Sequence, residues 1–277
     1  MMESSQDGSF SRPHWSVEDI PYRNIEPDQA DISLELFYML TCASFVEITS
    51  GLYTRNLTEY LHDEPELRDW LERQWRCEEI QHGIALRCYV NMVWPKFDWD
   101  RAYSRFFIEY SRCCQAKQLG PTPALEMVSR CLVETGTATL YAMLNRLCSE
   151  PVLRTITVHI ASDEVRHYKR FYFYFLRYQK QEGLGGWAVL RALCRRISEV
   201  NDEDAYCAFK HVFLECHPRG RFHDSDYRIF CSRWRLLARS YYPYEMALKM
   251  FLKPIGLKHW VEKTAVPLLL SGAKYLS

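Results

Sequence analysis

Glycine is scarce in this chain: eleven in 277 residues, with few before the Gly183–Gly186 stretch. No segment sustains a period-two alternation of apolar and polar residues, which argues against sheet. Apolar positions recur instead at spacings of three and four, the period of helices, so the fold class is all-α. Paired thiols are missing too. The eleven cysteines are odd in number and scattered, with no Cys-x-x-Cys, which disfavours a disulfide framework. With no charged-then-apolar leader, the expectation is a cytoplasmic protein with reduced thiols. No apolar run approaches the roughly 20 residues that span a bilayer, so no membrane partner is expected. Net charge is absent as well, 35 basic against 35 acidic residues, which argues against nucleic acid as a bulk electrostatic partner.

What is present starts with size and apolar content. With 48% hydrophobic and 25% charged residues, the chain can bury a full core and reads as one globular unit. Charge is uneven along it. Residues 186–277 carry fifteen Lys and Arg against nine Asp and Glu, so the last third is +6 and residues 1–185 are −6. That third is a candidate face for an acidic partner, with Arg191, Arg195 and Arg196 as its test positions.

Punctuation brackets the elements. Residues 1–16 (MMESSQDGSFSRPHWS) are polar and read as a mobile tail. A first helix is expected from about Asp31 to Leu61. A second begins near Asp63-Glu64-Pro65, with Asp63 as N-cap, and runs to about Trp94-Pro95. A crossover with its own helix near Arg101–Lys117 leads to Gly120-Pro121-Thr122-Pro123. That opens the third helix, which ends near Ser149-Glu150-Pro151. The fourth continues from there to about Gln181. The expected architecture is two antiparallel hairpins joined by a long crossover over residues 17–181, a ferritin-like four-helix bundle, with additional helices packed on it in 182–277.

The chemistry-bearing motif occurs twice. Glu79-Ile80-Gln81-His82 on the second helix and Glu164-Val165-Arg166-His167 on the fourth are both Glu-x-x-His, and residues three apart on a helix share a face. On the partner helices, Glu47 and Glu134 each interrupt a core-like apolar stretch. Glu47 stands 15 residues before the turn at His62, and Glu79 stands 17 after it. Glu134 is 16 before Glu150, and Glu164 is 14 after it. At about 1.5 Å per residue, each hairpin brings its two carboxylates to one height, so four carboxylates and two imidazoles meet in a single layer. Such a group would protonate unless compensated, and two divalent cations neutralise it. Oxygen and nitrogen donors without thiolate suit iron, or manganese, better than structural zinc. Cys77 and Cys131, close to the ligands, read as small buried hydrophobes. The Phe171–Phe175 aromatic run reads as core and interface.

These residues, with Glu78-Glu79-Ile80-Gln81-His82-Gly83, Glu134 followed by Thr137, and Ile160-Ala161-Ser162-Asp163-Glu164-Val165-Arg166-His167, resemble the soluble acyl-acyl-carrier-protein desaturases of the ferritin-like di-iron superfamily over residues 31–181. The resemblance implies two iron ions with O₂ as co-substrate, an acyl carrier protein or small-molecule substrate, an external electron donor (ferredoxin-like or a reductase), and a homodimer. It implies that Glu47 and Glu134, one or both, bridge the irons, with Glu79, His82, Glu164 and His167 as terminal ligands. Thr137 matches a threonine on the oxygen-binding side, and Asp163 and Arg166 match groups that orient ligands. The chain departs from that pattern at Gln81 and Ile84, where the family has Arg and Asp, so one ion pair beside the site is expected to be missing. Arylamine N-oxygenases of the same fold carry a further His where this chain has Ile160. His159, one residue away, projects about 140° from Glu164 on the helix and is not expected as a ligand.

Overall fold

A computed structural model describes residues 14–26, 33–114, 119–199, 203–257 and 267. Among them every regular element is helical. The first two long helical segments of the sequence are each interrupted once. Helix α1 (Leu34–Ile48) starts on Ser33, whose hydroxyl accepts from the Leu36 amide; the expected start at Asp31 lies outside the described residues. It stops at Thr49, whose hydroxyl bonds back to the Phe45 carbonyl at 2.5 Å, and the chain resumes as α2 (Ser50–Tyr60). Leu34–Tyr60 together is long and apolar enough by composition to cross a membrane, with a mean hydropathy of 1.2. Much of that apolar surface faces the protein interior, which is why a helix surrounded by others carries little polar residue.

The second segment opens on Glu64 rather than Asp63, without a side-chain cap, and Pro65 occupies the first turn. Helix α3 (Pro65–Trp70) passes through a π-helical turn, Leu71–Trp75, into α4 (Arg76–Val93). In that turn the Arg76 amide reaches the Leu71 carbonyl five residues back. Residues five apart then share a side. Trp70 and Trp75 both lie edge-on to Phe171, with centroids 5.1 and 5.8 Å away, and to His167.

The crossover carries α5 (Trp99–Cys113), capped by Asp98. It ends at Cys113, before the expected Lys117, because Cys114 already leaves helical backbone at ψ 89°; residues 115–118 lie outside the described part. Helix α6 (Pro123–Leu147) begins on Thr122, and α7 (Pro151–Glu182) begins on Glu150, whose carboxylate accepts from the Val152 and Leu153 amides. Gly183 closes α7 in the left-handed conformation, φ 64°. Helix α1 packs along α4 and α6 along α7, and α4 also meets α7. The four make a helical bundle. Gly83 sets the distance between α1 and α4: a Cβ there would lie 2.5 Å from Ile48 and 2.8 Å from the Ser44 carbonyl oxygen.

The last third adds α8 (Gly186–Glu199), α9 (Glu203–Cys216), α10 (Asp224–Ala238) and α11 (Tyr244–Leu252). Helix α9 lies against α5 and α1, while α8 and α11 lie against α6. Two apolar clusters fill the interior, one on either side of the polar layer described below. One is built on Phe45, Tyr89 and Phe106, the other on Leu71, Phe171 and Phe175.

Two expectations about single residues change. Trp15, placed in the tail, is buried against the bundle, because its indole finds both a stacking surface and a hydrogen-bond acceptor there; residues 1–13 lie outside the described part. Cys77 is exposed, since it sits on the solvent side of α4, whereas Cys131 is buried as expected. None of the eleven cysteines is in a disulfide.

Candidate metal centre

Glu47 on α1, Glu79 and His82 on α4, Glu134 on α6, and Glu164 and His167 on α7 converge in one layer across the bundle, all essentially shielded from solvent. They form two groups. Glu47, Glu79, His82 and Glu164 each offer a donor atom within 4.8 Å of the others, and so do Glu79, Glu134, Glu164 and His167. Glu79 and Glu164 belong to both. Glu47 and Glu134, which the resemblance would place as bridges, each belong to only one group. The reason is geometric, because α4 and α7 are the two motif helices that meet across the bundle, and each aims its Glu at the midline between the groups.

The imidazoles show the same division of labour. His82 Nε2 lies 2.9 Å from Asp163 Oδ2, and His167 Nε2 lies 2.7 Å from Glu78 Oε2. Each outer nitrogen is thus held by an acidic residue of the other motif's helix, which fixes the tautomer that leaves Nδ1 facing inward. His82 Nδ1 is 3.1 Å from Glu164 and 3.7 Å from Glu47. His167 Nδ1 is 3.0 Å from Glu79 and 3.6 Å from Glu134.

Whether these residues suit divalent ions is decided by four buried atoms. Glu79 Oε1, Glu164 Oε1, His82 Nδ1 and His167 Nδ1 are close together but out of line for hydrogen bonding, so each lacks a partner. Leaving such groups unpaired in a protein interior is costly. Four inward lone pairs, four carboxylates and no thiolate fit two hard or borderline cations.

In the absence of metal, protons take the cations' place. Burial, together with the Glu164 charge, pushes Glu134 up to about 8, and burial with Glu164 and Glu47 also raises Glu79. Burial alone would lower His82, but the Glu164 and Glu47 carboxylates overcome it and hold the imidazole at about 10. His167 is raised in the same way by its ring of glutamates. Glu164 goes in the opposite direction: burial raises it, but His167 and His82 on either side bring it well below the usual carboxylate range.

Several neighbours complete the layer. Thr137 Oγ1 donates to Glu164 Oε2 at 2.6 Å while also lying near its own helix's carbonyls, 3.4 Å from Val133 and 3.3 Å from Glu134. Asp163 is almost fully buried and pairs with Arg166. Tyr141 donates to Glu47 Oε1 at 2.5 Å. Trp15 donates its indole N–H to Asp163 at 2.7 Å, and its ring stacks on His159 and parallel to His82. Gln81, where the family pattern has arginine, uses its amide to hold the Trp15 carbonyl at 3.1 Å. Sequence reasoning missed Glu78, Tyr141 and Trp15 as partners of the site. A signal existed for the first: an acidic residue precedes Glu in both motifs, Glu78-Glu79 and Asp163-Glu164.

On the α1–α6 side, Glu47, Glu79 and Thr137 open onto a cavity of about 930 Å³ whose walls include Val46, Leu132 and Leu140. Compared with known proteins, the chain matches no family model, no curated sequence and no solved structure.

Proposed function

We propose that this chain is a ferritin-like, non-haem di-iron oxidoreductase that removes hydrogen from an unactivated C–H bond of an acyl chain, with O₂ as co-substrate and electrons from an external donor. The observation that carries this reading is the sharing of Glu79 and Glu164 between two donor groups whose inward nitrogens and oxygens have no other partner. Bound there, two irons supply the redox chemistry that no side chain can.

The residues divide the remaining work. Glu79 and Glu164 would contribute to holding both metals, with Glu47 and His82 completing one group and Glu134 and His167 the other. Asp163 and Glu78 hold the imidazoles, and Tyr141 steadies Glu47. Thr137 presents a hydroxyl at the cavity wall, placed to hold or pass a proton beside Glu164. The adjoining cavity, walled in part by Val46, Leu132 and Leu140, offers room to orient a substrate with an apolar part. Its presence favours an organic substrate over an iron-storage role. An acyl chain delivered as a carrier-protein thioester is the preferred presentation.

The test is incubation of iron-loaded protein with O₂, a reductant and acyl-carrier substrates, followed by mass spectrometry. Loss of two hydrogens supports desaturation. Incorporation of oxygen from O₂ redirects the reading to a di-iron oxygenase, and substrate-independent iron oxidation alone overturns it.

A further inference from the structure

Outside the polar layer of the bundle, one other set of metal-ligating side chains converges among the described residues. Glu109 on α5 and Cys207 and His211 on α9 each offer a donor atom within 4.8 Å of the other two. Cys207 and His211 are each only 7% exposed.

The pairing of the two helices explains why these residues meet. Arg105 reaches Glu215 at 3.6 Å and Glu109 meets His211 at 3.0 Å, so four residues onward on α5 correspond to four residues back on α9. The helices are antiparallel, and one further turn sets Cys113 opposite Cys207. Glu-x-x-x-Cys on α5 thus faces Cys-x-x-x-His on α9, and residues four apart share a helix side. Cys113 is not one of the converging three. It is exposed, and its single side-chain torsion lets the thiol turn toward them. Burial and the Glu109 carboxylate push the Cys207 thiol up to about 12, and the nearby Cys113 adds to this.

His211 uses only half of its bonding capacity. Its Nε2 lies 3.0 Å from Glu109 Oε2, whereas Nδ1 is screened from solvent and has no partner. A buried ring nitrogen left so is unfavourable. Burial lowers the imidazole against the pull of Glu109 and keeps it neutral, the form that ligates metal. Lys210 Nζ stands 2.9 Å from both Glu109 oxygens. A carboxylate has about four acceptor sites, so a metal can share Glu109 with that ammonium. The charges also balance: a divalent ion facing two thiolates and one carboxylate leaves −1, which Lys210 offsets.

We propose that Glu109, Cys113, Cys207 and His211 bind one zinc ion, which pins α9, and with it the last third of the chain, to the crossover helix α5. Two thiolates, one imidazole and one carboxylate make a closed tetrahedral set, which suits a structural ion rather than a catalytic one. Its sulfur donors set it apart from the oxygen-and-nitrogen layer of the bundle. Binding expels the two thiol protons to solvent. The site goes beyond the functional reading and does not depend on it.

The test is titration of the reduced full-length chain with cobalt(II), followed by absorption spectroscopy and then by addition of zinc. Thiolate-to-cobalt charge transfer gives a near-ultraviolet band that the thiolate-free layer cannot give. The proteins are wild type, Glu164→Ala, Cys207→Ser, Cys113→Ser and Cys194→Ser, the last an exposed cysteine on α8. Wild type should show the band. In Glu164→Ala, whose bundle layer is disabled, it should saturate at about one cobalt per chain and vanish when zinc replaces cobalt. Cys207→Ser and Cys113→Ser should each weaken this binding by more than the roughly 10- to 100-fold that losing a group behind a ligand costs. Cys194→Ser should change nothing. Because Cys113 is exposed, its variant tests the site even where substitution at the buried Cys207 disturbs packing. Absence of a thiolate band in wild type overturns the proposal. So does a band that keeps its affinity in Cys207→Ser or Cys113→Ser, or one that is lost in Cys194→Ser.

Discussion

His82 on α4 and Asp163 on α7 lie 2.9 Å apart, Nε2 to Oδ2, and the reciprocal pair of His167 with Glu78 lies at 2.7 Å. Each motif therefore orients the other motif's imidazole. Asp163→Asn and Glu78→Gln are each expected to weaken metal binding by about 10- to 100-fold while leaving the fold intact. Competition against a chelator of known affinity measures this. Unchanged affinity in both variants would mean that the imidazoles are not ligands held from behind.

The sharing of Glu79 and Glu164 separates them from Glu47 and Glu134. Glu79→Ala or Glu164→Ala should remove both metals. Glu47→Ala or Glu134→Ala should reduce occupancy mainly at one position, leaving about one metal per chain under limiting supply. Elemental analysis of the four variants decides. Loss of both metals in Glu47→Ala alone would restore a bridging role to that residue.

Gly83 marks the closest approach of α1 to α4, one residue after His82. Gly83→Ala must push Ile48 and the Ser44 carbonyl away and is expected to cost about 1–3 kcal/mol of stability. Because Glu47 precedes Ile48 directly, metal affinity should fall with it. Denaturant unfolding with and without metal checks both effects, and a neutral Gly83→Ala would show that the helix pair can spread without consequence.

Protons and metals compete for the layer, and the sign of the pH dependence follows. Glu134, raised from 4.5 to about 8, and His82, raised from 6.5 to about 10, hold protons in the fold that the unfolded chain has released. Their contribution is complete below the unfolded values and is lost as pH rises through the folded ones. Glu164, lowered, contributes above 4.5 and loses that contribution in acid. Metal-free protein should therefore lose stability between about pH 5 and 10. Metal affinity should rise over the same range, because binding releases those protons. Thermal melts across this range, with chelator and with manganese, test the two slopes. A metal-free melting temperature that climbs with pH would contradict the assignment.

Much of this was legible in the sequence, for stated reasons. Spacing about the turns near His62 and Glu150 placed Glu47, Glu79, Glu134 and Glu164 at one height, because helical rise is nearly constant. Other features were not legible. The break between α1 and α2 at Thr49 falls within a pattern that apolar periodicity still reads as one helix. The π-turn at Leu71–Trp75 inserts a residue without altering composition. The membership of Glu79 and Glu164 in both donor groups could not be read either, since it depends on which helices meet across the bundle and not on position along any one helix. The placement of Trp15 depends on a pocket assembled from α4 and α7, nearly 150 residues away in the case of Asp163. Glu78 was readable in principle, as the acid that precedes each Glu-x-x-His.

The most direct test of the central claim is metal content of the chain after anaerobic loading with ferrous iron and removal of excess, compared between wild type and Glu164→Ala. The account predicts about two irons per wild-type chain and nearly none in the variant. Little iron in the wild type, or a single ion that survives Glu164→Ala, would contradict it.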